Sequence, residues 1–137
     1  MTRTLKTSGF LGLTAMMTIG IYQLTLMPDG GAPGWLVGAH AHLGVLSIIA
    51  IVLGFVVDAF DLTKSLRSVV TGSFVAGQWG LPGTIIVAYA LALPPLNLLN
   101  YLWGALLVLS MAIMTWQAAT FSPVSASEPT QSAPADD

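Results

Sequence analysis

Cysteine is absent from all 137 residues. Disulfides, iron–sulfur clusters, thiolate zinc sites and covalently attached c-type haem are therefore excluded. Charge is almost as scarce. Asp, Glu, Lys and Arg make up 7% of the chain, against about 25% in soluble domains. The four cations, Arg3, Lys6, Lys64 and Arg67, are spread out and form no basic footprint for nucleic acid. No HExxH motif, carboxylate pair or GxGxxG loop occurs, and the acids do not form a Ser-His-Asp set with the two histidines. A drug–proton antiporter of this size would carry a carboxylate within its first helix, and none is there.

What remains is a chain that is 55% hydrophobic. A membrane-crossing helix needs about 20 mainly apolar residues, and four stretches qualify. The reading is all-α: a four-helix, up-down transmembrane bundle over residues 1–119, with spans at about 8–27, 34–57, 67–93 and 96–119. Residues 120–137, rich in Ser, Pro and acid, read as a disordered cytoplasmic tail. Pro28-Asp29-Gly30-Gly31 and Pro94-Pro95 break the runs. Arg3 and Lys6 resemble the start of a signal peptide. The run after them is long, however, and no small-x-small cleavage site follows, so the segment is read as retained. All four cations fall on one side of this topology, which puts both termini in the cytoplasm of a multi-pass cell-membrane protein.

Small residues are expected where helix backbones approach. On the second helix these are Gly34, Gly38, Ala41, Gly44 and Gly54, and on the third Gly72, Ala76, Gly80 and Gly83. Pro82, within Gly80-Leu81-Pro82-Gly83, predicts a kink or a break in the third helix, the break opening space beside Gln78 and Trp79.

Both histidines, His40 and His42, lie within the second span. An ionisable group there is a functional candidate by default. At about 100° per residue the two rings point roughly 200° apart, so they cannot share one metal. The line through His40 carries Gly44, Ser47, Ile51, Gly54 and Asp58 and suits a bundle interior. The line through His42 carries Trp35, Ile49, Leu53, Val56 and Phe60 and suits lipid or another subunit. Tyr22, Gln23, Tyr89, Asn97, Asn100 and Tyr101 add polar groups to the same, outer half, with Gln78 nearer the middle. With neither thiolate nor carboxylate available, a cofactor held by one imidazole is the chemistry left, and haem b satisfies that limit.

Gly34-Trp35 followed by Ala39-His40-Ala41-His42-Leu43 and a small-residue-rich apolar run resembles the haem-ligand helix of the membrane haem proteins that include styrene oxide isomerase. It also resembles, more distantly, subunit I of the haem-copper oxidases. Gln78-Trp79-Gly80 in the third helix is similar to the isomerase too. The resemblance implies His40 as axial ligand to haem b, with His42, Gly44, Gln78, Trp79, Tyr89 and Asn100 around the cofactor. It departs at Leu46 and Ile85, where the isomerase has the Asn and Tyr that hold the epoxide oxygen. Three uses stay open: Lewis-acid chemistry on a small lipophilic substrate, redox or gas binding, and a cofactor-free accessory subunit of a membrane complex. A small transporter is a further alternative, and a homo-oligomer is compatible with each.

Overall fold

The computed structural model describes residues 2–60 and 62–120. The expected tail at 121–137, and Asp61, lie outside the described residues. Four long helices follow one another: α1 (Thr2–Thr25), α2 (Gly34–Ala59), α3 (Lys64–Ala90) and α4 (Leu99–Thr120). Short 3-10 turns at Met27–Asp29 and Pro94–Leu98 precede α2 and α4. There is no strand among the described residues.

The punctuation is chemical. Gly30 and Gly31 close the first turn at φ 99° and 96°, a backbone region that glycine enters without a steric penalty. Pro33, extended at ψ 144°, leads into α2. Thr63 caps α3, its hydroxyl oxygen accepting from the Leu66 N–H at 3.5 Å. At the far end of α3 the Leu93 N–H returns to the Ala88 carbonyl at 2.8 Å, and Ala92 takes a left-handed φ of 51°.

Sequential helices run antiparallel. Lys6 near the start of α1 meets Asp58 near the end of α2 at 3.0 Å, while Gln23 near the end of α1 bonds the Leu36 carbonyl near the start of α2 at 3.0 Å. Helices α1, α2 and α3 touch one another. Helix α4 is different: among the helices its backbone approaches α3 alone. The main apolar core, Leu5, Ala50, Leu53, Val57, Leu62, Val70, Phe74 and Met114, lies toward the end where α1 and α3 begin.

Glycine sets the two tightest seams. Between α1 and α2, a β-carbon on Gly9 would come within 2.7 Å of the Ser47 carbonyl oxygen, and one on Gly54 within 2.8 Å of Lys6 Cγ. Between α3 and α4, one on Gly77 would meet the Trp103 carbonyl oxygen at 2.9 Å, and one on Gly80 the Trp103 ring at 2.6 Å. The small residues named from the sequence therefore divide. Gly44, Gly54 and Gly80 serve close approach, whereas Gly34, Gly38, Gly72 and Gly83 face open space.

Of the two readings at Pro82 the break is not seen, and the expectation for the His42 line is corrected. Helix α3 runs unbroken through Pro82. The proline leaves the Gln78 carbonyl without its usual helical donor, yet Trp103 lies over Gly80 and its indole N–H donates to Thr84 Oγ1 at 2.8 Å, bracing α3 on both sides of the proline. The line through His42 does not face outward along its length. Leu53 is buried, and Ile49, Val56 and Phe60 pack on the core. Helix α2 is flanked by α1 on one side and α3 on the other, so both lines are covered. Its uncovered stripe runs between them through Val37, Ala41, Val45, Ile48, Val52 and Phe55.

Two helices, α2 and α4 with its preceding turn, are long and apolar enough to cross a membrane. Polarity is distributed accordingly. Ser8, Ser47, Thr71, Ser73, Gln78 and Ser110 are buried, while Phe10, Ile21, Val45, Phe55, Val108 and Trp116 are exposed.

Candidate functional site

The polar side chains gather in two places. The first lies where α1, α2 and α3 meet. Gln78 is 0% exposed, and its amide is fully used. Its Oε1 accepts from Ser8 Oγ at 2.8 Å, and its Nε2 donates to the Ser8 carbonyl and to Ser47 Oγ, both at 3.1 Å. The Ser47 hydroxyl donates to the Leu43 carbonyl at 2.6 Å. Ser8 Oγ in turn accepts from the Trp79 indole N–H at 2.8 Å. Gly12 makes this possible, since a β-carbon there would overlap Ser47 Oγ and come within 2.7 Å of Gln78 Nε2. Every donor in the set is engaged, so the node has no free nucleophile and no spare proton. It holds three helices together.

The second place is the first half of α2. His40 is half-buried with its ring over Gly20 of α1, where a β-carbon would stand 3.0 Å from its Cε1. Its Nδ1 is buried with no hydrogen-bond partner. One turn on, Gly44 admits Met16, whose Cγ would lie 3.3 Å from a β-carbon there. His42 is exposed on another face. Its Nδ1 lies 2.8 Å from the Gly38 carbonyl. A carbonyl can only accept, so this contact needs a proton on Nδ1 and leaves Nε2 as the ring nitrogen that could offer a lone pair to a metal.

The remaining expected residues are placed separately. Gln78 and Trp79 belong to the node around Ser8. Tyr89 stacks on Trp35 with ring centroids 6.0 Å apart. Asn100 donates to Asn97 Oδ1 at 3.4 Å, and its own Oδ1 is buried without a partner. Asp58 pairs with Lys6, whose ammonium also stands 3.9 Å above the Phe55 ring. No group of three or more His, Cys, Asp or Glu side chains suited to a metal occurs among the described residues, so a metal here would rest on a single imidazole.

The residues of α1 were the ones missed. Ser8 stands only at the edge of the expected first span, and nothing in the sequence singles out Gly12 or Gly20. The one available signal was Ser47, on the same line as His40, because a polar residue on an interior line needs a partner on a neighbouring helix.

No curated protein and no solved structure matches the chain. One family model does, over residues 1–137, and the chain accordingly belongs to the DUF8059 family, a domain of unknown function.

Proposed function

We propose that this protein is a multi-pass membrane protein that carries haem b on the first half of α2, with His42 as the axial ligand through Nε2. The observation that carries the reading is the contact of His42 Nδ1 with the Gly38 carbonyl. A ligating imidazole characteristically donates its other ring N–H to a carbonyl or carboxylate, which orients the ring and raises its basicity. The Gly38 carbonyl does this at 2.8 Å. The surface beside it is low: Gly34 and Gly38 have nothing within 4 Å of a β-carbon position. Ala41 and Val45 are exposed on the adjoining stripe. In hydrocarbon a bare imidazole lone pair has no water to meet, so a covering group is required.

His40 is the other candidate, on the strength of its unpartnered Nδ1. Its ring packs against Gly20, which restricts approach on the α1 side. When bound, haem would supply either a Lewis-acidic iron for a small lipophilic substrate or a centre for redox and gas binding. The chain's part is to hold and orient the ligand ring and to exclude water. The outward apolar side chains and inward polar ones support insertion in lipid. The four cations, all at the end where α1 and α3 begin or close to it, support cytoplasmic termini.

The test is the visible spectrum, oxidised and reduced, of protein purified in detergent from haem-supplied cells, beside His42→Ala and His40→Ala. A Soret band lost in His42→Ala and kept in His40→Ala is the expected result. Loss in His40→Ala alone moves the ligand to that residue. A colourless wild type sinks the haem reading. The second reading, an accessory subunit of a membrane complex, would then lead. It is favoured by the closed node at Gln78, where buried polar groups bond one another across helices as structural groups do.

A further inference from the structure

A second polar-to-apolar site lies away from the histidines. A groove of about 440 Å³ runs between the start of α1 and the middle of α3, lined by Arg3, Thr4, Thr7, Ser8, Leu11 and Trp79. Its two ends differ in chemistry. At one end is Arg3, exposed and without an ion pair among the described residues, whereas Lys6 on the same helix is paired with Asp58. At the other end are Leu11 and the Trp79 ring, 57% and 38% exposed.

Of the hydroxyls between these ends, Ser8 is spent on Gln78 and Trp79, while those of Thr4 and Thr7 are unspent. Four other helix threonines satisfy themselves: Thr14, Thr18, Thr115 and Thr120 each donate to the carbonyl four residues back. Thr4, two residues into α1, has no preceding turn to bond. Thr7 has one, yet makes no side-chain hydrogen bond among the described residues. Trp79 is held the opposite way. Its N–H is drawn inward to Ser8 Oγ at 2.8 Å, which leaves the carbons of the indole to the groove.

We propose that this groove binds one anionic phospholipid, its phosphate on the Arg3 guanidinium and the Thr4 and Thr7 hydroxyls, and its acyl chain along Leu11 and Trp79. The guanidinium fork matches two phosphate oxygens at once, and hydroxyls can donate to a third. Ser8, five residues beyond Arg3, lies about 7.5 Å deeper along the helix, so the groove passes from headgroup level into hydrocarbon in the order an amphiphile requires. A free phosphate would leave the apolar end without a use. A zwitterionic lipid would bring its own cation to the side where Arg3 already supplies one.

The site rests on the membrane reading and is independent of the haem. The experiment is native mass spectrometry of the full chain in detergent, titrated with phosphatidylglycerol or phosphatidylcholine. The variants are R3Q, T7V and, as a control that removes a cation elsewhere, K64Q. Phosphatidylglycerol is expected to bind more tightly than phosphatidylcholine. R3Q should weaken it about fivefold, the worth of one cation at an anionic surface. T7V should weaken it about threefold, and K64Q should leave it unchanged.

Equal binding of the two lipids, an unaffected R3Q, or an equal loss in K64Q would each overturn the site. Displacement of the lipid by millimolar inorganic phosphate alone would overturn the choice of a lipid. Failure of the membrane reading is seen separately, as a chain that stays monomeric in buffer without detergent. Arg3 is exposed in the first turn, so R3Q should retain the wild-type circular dichroism spectrum, and T7V provides an arm that keeps the charge.

Discussion

The node at Gln78 and the histidine pair on α2 are both polar groups in an apolar helix bundle, and they end in opposite states. At Gln78 every donor and acceptor of the amide is matched by Ser8 or Ser47. On the first half of α2, His40 keeps a buried nitrogen without a partner, and His42 spends one nitrogen on its own helix and turns the other outward. A matched set gains nothing from a ligand and loses stability when disturbed. An unmatched one has little to lose on its own and something to gain from a ligand. The difference separates the part of this molecule that holds the fold from the part available for function.

That contrast can be broken most forcefully at Gly12. Gly12→Leu would drive a side chain into Ser47 and Gln78, and overpacking of this kind costs about 3 kcal/mol or more. The expected outcome is loss of a discrete folded species on SDS titration. Gln78→Leu is gentler. It removes the amide and leaves the Ser8 and Ser47 hydroxyls looking for partners, at about 1–2 kcal/mol, read as an earlier midpoint in the same titration. A Gln78→Leu protein as stable as wild type would mean the node is incidental.

His42→Ala sharpens the other side. In protein made without haem it should shift the midpoint by less than about 0.5 kcal/mol, as for an exposed residue with no tertiary bond, while in haem-supplied protein it should remove the Soret band. A large stability loss without haem would make His42 structural after all. Lys6→Gln is expected to have a small effect on stability as well. The pair with Asp58 is partly exposed, its side chains 28% and 41% accessible, and such pairs are worth less than about 1 kcal/mol. The shift should shrink further in high salt.

How much of this could be read from the residues varies by level. The four helices were legible, because each is a long apolar run bounded by Pro, Gly or Asp, and the helix ends fall within a few residues of the expected spans except at α1, which begins at Thr2. The first turn of α1 is polar and charged, so hydropathy alone gave no reason to extend it. That the third helix stays unbroken at Pro82 was only half legible, as one of two readings. A proline announces a missing donor, but whether the helix breaks depends on what braces it, and Trp103 on Gly80 is more than twenty residues away in sequence. The partners of Gln78 were hidden for the same reason. A glutamine in an apolar run states a need, and only the packing of α1 against α2 says that Ser8 and Ser47 meet it. The roles of the histidines were half legible: the periodicity separated their faces, but the bond from His42 to Gly38 follows from a side-chain rotamer that no spacing encodes.

The peripheral seat of α4 has a consequence in time. As a chain emerges from the ribosome, α1 and α2 can close on each other through Gly9, Gly12 and Gly54 before Gln78 has been synthesised. Helix α3 then arrives to find Ser8 and Ser47 already side by side, and its glutamine completes them. Helix α4 comes last and needs only α3, with Trp103 settling onto Gly80. The order in which the helices are made is thus the order in which most of their contacts become available, with α3 at Pro82 and the core around Met114 completed only by the final helix.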